Sequence, residues 1–282
     1  DMRQAVLFRG MLAVALVVSS ALLAAWQAPM RELKELPVTP NTSFSAGEEL
    51  EYRVNFAFMT VGKAITKIDR KVYNIHQKAC FKIDCYGETS DWISWVTRVK
   101  DNWGAYLDTT SLNTHVSYRK IREGKYRKDE LITFNHKEQK AEVKVMNQET
   151  GVFENPQVYE IPKNAKDLVG GFMLLRVIDF RKVRVGDTLN IQGFFEDTSY
   201  TLKVMYTGKE TISTKIGKIP CHKLVPIMPD NKLFDGENSI TAWISDDANK
   251  IPVKIQAKMF IGSTGIELSG FRGLRNQLRL VF

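Results

Sequence analysis

The stretch from Ser239 to Leu268 most constrains the fold, because its polarity alternates residue by residue. After an apolar segment and the polar turn Ser245–Lys250, the return segment has apolar residues at every odd position: Ile251, Val253, Ile255, Ala257, Met259 and Ile261. The even positions from Pro252 to Lys258 carry Pro, Lys, Gln and Lys. A period of two is typical of a strand with one buried and one solvated face. The Asp- and Asn-containing connector predicts a β-hairpin.

Most of the chain after Phe44 repeats this alternation, with turn residues between the segments. One segment differs: Leu168, Phe172, Leu175 and Ile178 are spaced by four, three and three residues and predict an α-helix near 164–180. Asn164 is its predicted N-cap. Close packing against a sheet is expected to offset the unfavourable pair Gly170-Gly171.

The order of strands, one helix and more strands predicts a mainly β protein. Short turns between successive strands favour an antiparallel curved sheet, open or closed into a barrel-like form. The helix bridges two β halves, about 44–161 and about 186–282, so we expect residues 44–282 to form a single β-rich domain. The patterns leave open whether the halves form one continuous sheet or two packed sheets.

Residues 1–28 do not belong to this domain. Arg3 and Arg9 precede an apolar run from Met11 to Trp26 with small residues near its end, which predicts a secretory signal helix. A retained membrane anchor is the alternative, although the run is shorter than the ~20 residues of a spanning helix. Residues 29–43 contain three prolines and are predicted to be a linker.

If the protein is exported, its compartment restricts both the disulfides that its cysteines can form and the partners that it can meet. In an oxidising compartment, three cysteines allow one disulfide at most. Cys80 and Cys85 are too far apart along an extended strand to pair. Buried free thiols are therefore expected, with a disulfide from Cys221 to one of them as the alternative. The net charge of +8 favours anionic lipids or envelope polymers over nucleic acid as partners.

Several turn and strand motifs resemble one known family. They are Gly47–Tyr52 (GEELEY), Asp101–Asp108 (DNWGAYLD), Ile121–Tyr126 (IREGKY), Ala242–Asp247 (AWISDD) and Lys250–Val253 (KIPV). From Phe44 to about Leu274 the chain is similar to an uncharacterised bacterial exported family, catalogued as domain of unknown function 3108. The resemblance implies a periplasmic or envelope-exposed β protein of gram-negative bacteria, often of the Bacteroidetes type. It implies no activity and no catalytic residues.

Aromatic residues form the first group of candidate ligand-binding residues: Trp92, Trp95, Trp103, Phe56 and Phe58. Trp95 and Trp103 fall on the apolar side of an alternating segment from Ser94 to Leu107. Together the five aromatic residues are candidates to line an apolar groove for an acyl chain. The alternative is that they fill a core, which is the more common place for such side chains.

Basic residues on one predicted hairpin form the second group: Arg119, Lys120, Arg122, Lys125, Arg127 and Lys128. This is the densest charge in the chain. It is a candidate contact for lipid phosphates, a membrane surface or an acidic protein partner. The alternative is a solvated hairpin whose charges prevent edge-to-edge pairing.

No compact catalytic or metal-binding motif is present. The four histidines, His76, His115, His136 and His222, form no H-x-x-x-H pair. Cys221 and His222 are adjacent, so they face opposite ways on a strand. Asp246-Asp247-Ala248-Asn249 lacks the spacing of a calcium loop and predicts an ordinary turn. There is no nucleophile elbow and no phosphate loop. We expect no metal, no cofactor and no catalytic residue.

These observations predict a non-catalytic protein of the periplasm or outer membrane. We expect it to bind a hydrophobic or anionic envelope component, or to dock to an outer-membrane assembly or secretion complex. An integral outer-membrane β-barrel is one alternative, because the chain ends in the alternating segment Leu278–Phe282. A hydrolase with a site built from distant residues is the other.

Overall fold

The computed structural model of the protein describes residues 31–95, 98–227, 239–258 and 262–281. The first nine strands are β1 (Arg31–Glu32), β2 (Glu49–Phe56), β3 (Met59–Ile75), β4 (Lys78–Thr89), β5 (Lys100–Asp108), β6 (Thr114–Glu123), β7 (Tyr126–Asn135), β8 (Lys140–Val145) and β9 (Gln157–Glu160). The helix α1 (Leu168–Leu175) and a 3₁₀ turn (Phe180–Lys182) follow. The remaining strands are β10 (Asp187–Phe195), β11 (Thr198–Thr214), β12 (Gly217–Ile227), β13 (Ile240–Ser245), β14 (Pro252–Lys258) and β15 (Ser263–Arg272).

All these strands belong to one continuous sheet. Their order is β1, β10 to β15, then β2 to β9. Every pairing is antiparallel except that of β1 with β10. The two predicted halves are joined where β15 pairs with β2, with Leu268 opposite Tyr52. Strands β1 and β9 are the edges, so no ladder between described strands closes the sheet.

The predicted hairpin is present as β13 and β14, and its turn is organised by Asp247. One carboxylate oxygen, Oδ1, accepts hydrogen bonds from the Ser245 hydroxyl at 2.8 Å and from the amides of Asn249 at 2.9 Å and Lys250 at 3.1 Å. The first apolar residue of the return segment, Ile251, is fully buried. Turn chemistry therefore accounts for the Asp-Asp-Ala-Asn segment.

The sheet curls until its two ends meet at the segment between β9 and α1. Lys166 forms an isolated parallel bridge with Gly193 of β10, and its amide donates to the Gln192 carbonyl at 3.0 Å. Tyr159 of β9 packs against Phe194 of β10 with ring centroids 5.8 Å apart. A small core cluster at this seam includes Ile132, Phe134, Ala141, Val143, Ile161 and Phe194.

The main core lies inside the curl. It draws side chains from β3 to β5 on one wall and from β10 to β13 on the other, with α1 between them. Representative members are Ile68, Ile83, Leu107, Met173, Leu189 and Leu224. Because both walls contact the same helix, α1 lies on the concave face of the sheet.

The helix is shorter than the predicted range 164–180, and its N-cap is a different residue. Asp167, not Asn164, caps α1, because its carboxylate accepts from the amides of Val169 at 3.1 Å and Gly170 at 3.0 Å. Asn164 instead adopts a left-handed conformation with φ of 59° in the preceding turn. The spacing of apolar residues predicted that a helix exists but not where it starts.

The described part of the predicted linker, residues 31–43, is packed against the domain. Strand β1 pairs with β10, and Val38 forms a bridge with Ile178. The Thr39 amide donates to the Val177 carbonyl at 2.9 Å. These backbone hydrogen bonds make the segment an edge of the fold rather than a free tether.

Some predictions lie outside the described residues. These are the signal helix or anchor over 1–28 and the apolar positions Met259, Ile261 and Phe282. Within the described ranges, no helix is long and apolar enough to cross a membrane.

Candidate functional site

The candidate site is built around α1, whose two glycines meet different surroundings. A Cβ on Gly170 would lie 2.6 Å from the Thr114 hydroxyl oxygen, so glycine permits the close approach of α1 to the sheet. This is the compensation expected from the sequence. A Cβ on Gly171 would meet nothing within 4 Å outside the helix backbone. The helix thus packs tightly on one side and leaves open space on another.

On one side of α1, a cavity of about 100 Å³ separates the helix from β10 to β13. Its walls are mainly apolar and include Leu175, Ile191, Leu202, Leu224, Ile240 and Ala242. Lys166 is also a wall residue, and its ammonium donates to the Leu112 carbonyl at 2.8 Å and to the Asn113 side-chain oxygen at 2.6 Å. Burial lowers the pKa of Lys166 to about 8. Its charge is held by protein groups.

On the other side of α1, a cavity of about 200 Å³ lies against β2 to β4, β14 and β15. Its walls include Leu50, Tyr52, Ala64, Val169, Met173 and Ile266. The Tyr52 hydroxyl donates to the Pro252 carbonyl at 2.9 Å. Burial raises the pKa of the Cys85 thiol to about 11, so this wall residue is a protonated thiol at neutral pH. This cavity too is predominantly apolar.

Phe172 stands between the two cavities. It contributes to the walls of both, as does Ile255. Its side chain is 44% exposed, although it belongs to a helix that is packed inside a sheet. The two cavities are therefore neighbours that share part of their walls.

A buried ion pair, which we call the Arg176 clamp, fixes the C-terminal end of α1. Arg176 is 1% exposed and binds both carboxylate oxygens of Glu48, with Nη2 and Oε2 2.9 Å apart. Its Nε and Nη2 also donate to the Asn249 carbonyl at 3.1 and 3.0 Å. The guanidinium lies over the Phe44 ring at 4.9 Å. The clamp joins α1, the start of β2 and the β13–β14 turn.

The aromatic residues predicted to bind ligand are not among the walls of these cavities, and they fall into two places. Trp103 is partly buried and stacks on Phe195 with ring centroids 5.8 Å apart. The other four, Phe56, Phe58, Trp92 and Trp95, are exposed at or beside the strand ends, with Phe58 93% and Trp95 83% exposed. The structure therefore groups them as a surface rather than as a groove.

Two of the six basic hairpin residues, Arg119 and Lys128, share the same pair of carboxylates. Arg119 contacts Glu130 at 2.7 Å and Glu196 at 3.1 Å. Lys128 contacts the same two carboxylates at 3.0 and 3.2 Å. The pKa of the Glu196 carboxylate is lowered, and the largest cause is the hydrogen bond that it accepts from Arg119. This network ties β6 and β7 to the β10–β11 turn.

Of the other four basic hairpin residues, one is paired with a carboxylate and three are exposed. Arg122 pairs with Asp129 at 2.7 Å. Lys120, Lys125 and Arg127 are exposed, and no carboxylate within the described ranges forms a salt bridge with them. These three are the hairpin cations that face solvent.

The structure also brings together three histidines that sequence reasoning kept apart. A cleft of about 800 Å³ lies where the β3–β4, β5–β6 and β7–β8 turns meet. The ring of His115 lies 5.6 Å from that of His76 and 6.0 Å from that of His136, and its Nε2 is 3.8 Å from Asp108. Burial is the main cause of the lowered pKa of His115 and His136. Their common location at turns of neighbouring strands was the available sequence indication.

The fourth histidine, His222, is held in its neutral form. Its Nδ1 accepts from the Tyr206 hydroxyl at 3.1 Å, and its Nε2 donates to Asp246 at 3.0 Å. Phe180 stacks on the ring with centroids 4.1 Å apart. Burial lowers the pKa of His222 to about 4, and this outweighs the opposing effect of Asp246.

The described residues contain no group of three or more His, Cys, Asp or Glu side chains placed to hold a metal ion. Cys80, Cys85 and Cys221 are free thiols. Burial raises the pKa of Cys80 to about 11 and that of Cys221 to about 12, so neither is a thiolate at neutral pH.

These features define a class: β-barrel-like proteins in which a curled antiparallel sheet wraps around a short helix. The fold is similar to that in the crystal structure of a beta-barrel-like protein of domain of unknown function DUF1849 from Brucella abortus, with a TM-score of 0.52, 9% identity, and coverage of 84% of this chain and 98% of that one. The hypothetical protein CT021 from Chlamydia trachomatis matches with a TM-score of 0.37 and 8% identity, over 86% and 94% of the two chains.

The chain belongs to the family described as protein of unknown function (DUF3108), whose model matches residues 51–269. The resemblance noted from the sequence motifs is therefore confirmed. No curated protein matches the sequence.

Proposed function

We propose that this protein is a non-catalytic envelope protein that binds an apolar ligand between α1 and the concave face of its sheet. The observation that carries the proposal is the pair of apolar cavities that share Phe172 as a wall. A cavity of about 150 Å³ lined by Leu, Ile and Phe takes up benzene. The larger cavity here, about 200 Å³, has room for an apolar group of that size or somewhat larger.

The shape of the space favours a chain over a compact ligand. The cavities lie beside adjoining faces of one helix, and the side chains of Phe172 and Ile255 line both of them. An acyl chain laid across α1 would occupy both and cover the exposed ring. Its binding energy would come from apolar surface removed from water, at about 25 cal/mol per Å².

The charged groups beside the cavities support binding rather than catalysis. Arg176 is occupied by Glu48, and Lys166 by the Leu112 carbonyl. The Asp167 carboxylate accepts from the Thr114 hydroxyl at 2.7 Å as well as from helix amides. A hydrolase would need a base or nucleophile directed at the substrate. The envelope location follows from the predicted export signal.

Fluorescence titration with N-phenyl-1-naphthylamine, a probe that brightens in apolar surroundings, tests the proposal. Phe172→Trp places a bulkier ring at the junction and is expected to weaken probe binding by about tenfold, or roughly 1.4 kcal/mol. Phe271→Trp is the matched control, since Phe271 is exposed to a similar extent, 40%, and lies on β15 outside both sets of walls.

Circular dichroism establishes that both variants keep the fold. Wild-type protein that leaves the probe dark contradicts the proposal. So does equal binding by the Phe172→Trp and Phe271→Trp variants.

A further inference from the structure

Strand connections project side by side from one end of the sheet. Those between β2 and β3, between β4 and β5, and between β6 and β7 are joined by hydrogen bonds. The Trp92 indole donates to the Thr60 carbonyl at 3.2 Å, and the Gly124 amide donates to the Arg98 carbonyl at 2.9 Å. The start of β15 lies beside them, because Thr264 pairs with Phe56 of β2. We call the described residues of these connections, together with the adjoining strand ends, the tip end.

Large apolar side chains are exposed on the tip end: Phe56, Phe58, Met59, Trp92, Trp95 and Tyr126. They belong to three separate connections, so no single mobile loop explains them. A soluble surface rarely exposes a contiguous apolar patch without a binding role. Trp, Tyr and Phe are the side chains that favour the boundary between water and lipid.

Exposed cations surround these side chains: Arg98, Lys100, Lys125, Arg127 and Lys258. Among the described residues of these connections, the exposed carboxylates are Asp91 and Glu123, which the cations outnumber. The β8–β9 and β10–β11 connections at the same end of the sheet carry further exposed carboxylates, of which Glu196 is paired with Arg119 and Lys128. Lys63 and Glu88 neutralise each other there at 2.7 Å. The tip end therefore combines aromatic residues at its centre with an excess of positive charge.

We propose that the tip end docks onto a lipid bilayer that carries anionic headgroups. Aromatic side chains on adjacent connections present a broad front suited to a flat surface, and Phe58 and Trp95 are the residues that would enter it. The cations around them would contact headgroup phosphates, at about fivefold in affinity, or ~1 kcal/mol, for each. This surface is distinct from the cavities beside α1, and the proposal does not depend on a ligand in them.

Flotation of the protein with vesicles tests the docking. Vesicles of phosphatidylcholine alone are compared with vesicles that also contain phosphatidylglycerol. Wild-type protein is expected to float with the anionic vesicles and to be released by salt, which screens the charges. The apolar run from Met11 to Trp26 could itself bind vesicles, and it is the same in every variant. Differences in flotation among the variants therefore report on the tip end.

Two double variants probe the two components. Phe58→Ser with Trp95→Ser is expected to abolish flotation, whereas Val185→Ser, an exposed apolar residue away from the tip end, leaves it unchanged. Lys125→Glu with Lys258→Glu is expected to weaken binding by at least about 25-fold at ~fivefold per lysine. Its matched control is Lys215→Glu with Lys218→Glu, two exposed lysines at the opposite end of the sheet.

Failure of the wild-type protein to float with anionic vesicles overturns the proposal. Tip-end variants that bind like their controls overturn it as well. A protein partner that contacts Phe58 and Trp95, in the absence of vesicle binding, would replace the membrane as the occupant. Phe172→Trp is expected to leave flotation unchanged, which separates this surface from the cavities.

Discussion

Removing one partner of the Arg176 clamp is expected to destabilise the protein strongly. In Glu48→Gln, the guanidinium would keep its full charge while its bidentate carboxylate is replaced by a neutral amide. Both side chains are 1–2% exposed, so water cannot take over the lost contacts. In Arg176→Met, the Glu48 carboxylate and the Asn249 carbonyl would lose their donor instead.

The size of the effect follows from this burial. Breaking a buried ion pair on one side costs about 3–5 kcal/mol, since an uncompensated charge remains in the interior. Total stabilities of domains are only ~5–15 kcal/mol. For a domain of this size, 1 kcal/mol shifts the melting temperature by roughly 2–4 °C, so each single variant is expected to melt about 6–20 °C lower.

Thermal and urea unfolding of a double-mutant cycle measure the coupling. The variant that carries both Glu48→Gln and Arg176→Met leaves no unpaired charge and is expected to be less destabilised than the sum of the single variants, by ~0.5–3 kcal/mol. Glu32→Gln is the control, because Glu32 pairs with Lys203 at an exposed surface, where such pairs contribute little. The reasoning fails if Glu48→Gln melts at the temperature of this control, or if the two single effects simply add.

The neighbouring glycines of α1 are expected to respond in opposite directions to alanine. Gly170→Ala should lower the free energy of unfolding by ~1–3 kcal/mol because its Cβ meets Thr114, and Gly171→Ala should raise it by up to ~1 kcal/mol through helix propensity; urea titrations in which both change alike would contradict this. The contribution of neutral His222 to the free energy of unfolding is expected to be fully present above about pH 6.5 and to be lost as the pH falls to about 4. The reason is that in this range the histidine of the unfolded chain binds a proton, whereas His222 in the folded protein, with its lowered pKa of about 4, does not. The full effect is about 3 kcal/mol at most, and His222→Gln should flatten the measured dependence of stability on pH; an unchanged slope would count against the assignment.

The local alternation of polar and apolar residues predicted the strands, but it could not predict which distant strands pair with each other. The β13–β14 hairpin is specified within a short stretch, where Ile251 and Val253 are buried and Lys254 is half-buried. The pairing of β15 with β2 is different, because it brings Glu267 opposite Arg53 across 214 residues. No periodicity in one strand names its distant partner, so the choice between one sheet and two remained open.

The ends of α1 illustrate the same limit. Its apolar spacing is local, but its start depends on Asp167, which is held by the Thr114 hydroxyl on β6. Its end depends on Arg176, whose carbonyl accepts from the Ser43 hydroxyl at 2.7 Å. Both contacts are tertiary. Asn164 satisfied the local rule for an N-cap and was outcompeted by Asp167.

The candidate site was missed for a related reason. The cavity walls consist of ordinary core residues, such as Leu202 and Ile255, contributed by many strands, and nothing in their spacing marks a ligand. Trp95 fell in an alternating segment that predicted a strand from Ser94, but β5 begins only at Lys100. Trp95 consequently lies in a turn, where its exposure creates the tip end.

The curled sheet makes the cavities a consequence of its own geometry. Its edges meet at the seam without a ladder, so α1 and the Arg176 clamp are left to hold the two walls at their distance. The helix has only eight residues, and cavities of about 100 and 200 Å³ lie beside it. Gly171 faces open space and Phe172 stays half exposed, although alanine at 171 would favour the helix. Residues that could be replaced by more stabilising ones are expected chiefly at functional sites. Their position beside an apolar cavity therefore favours a ligand across α1 over a void left by imperfect packing.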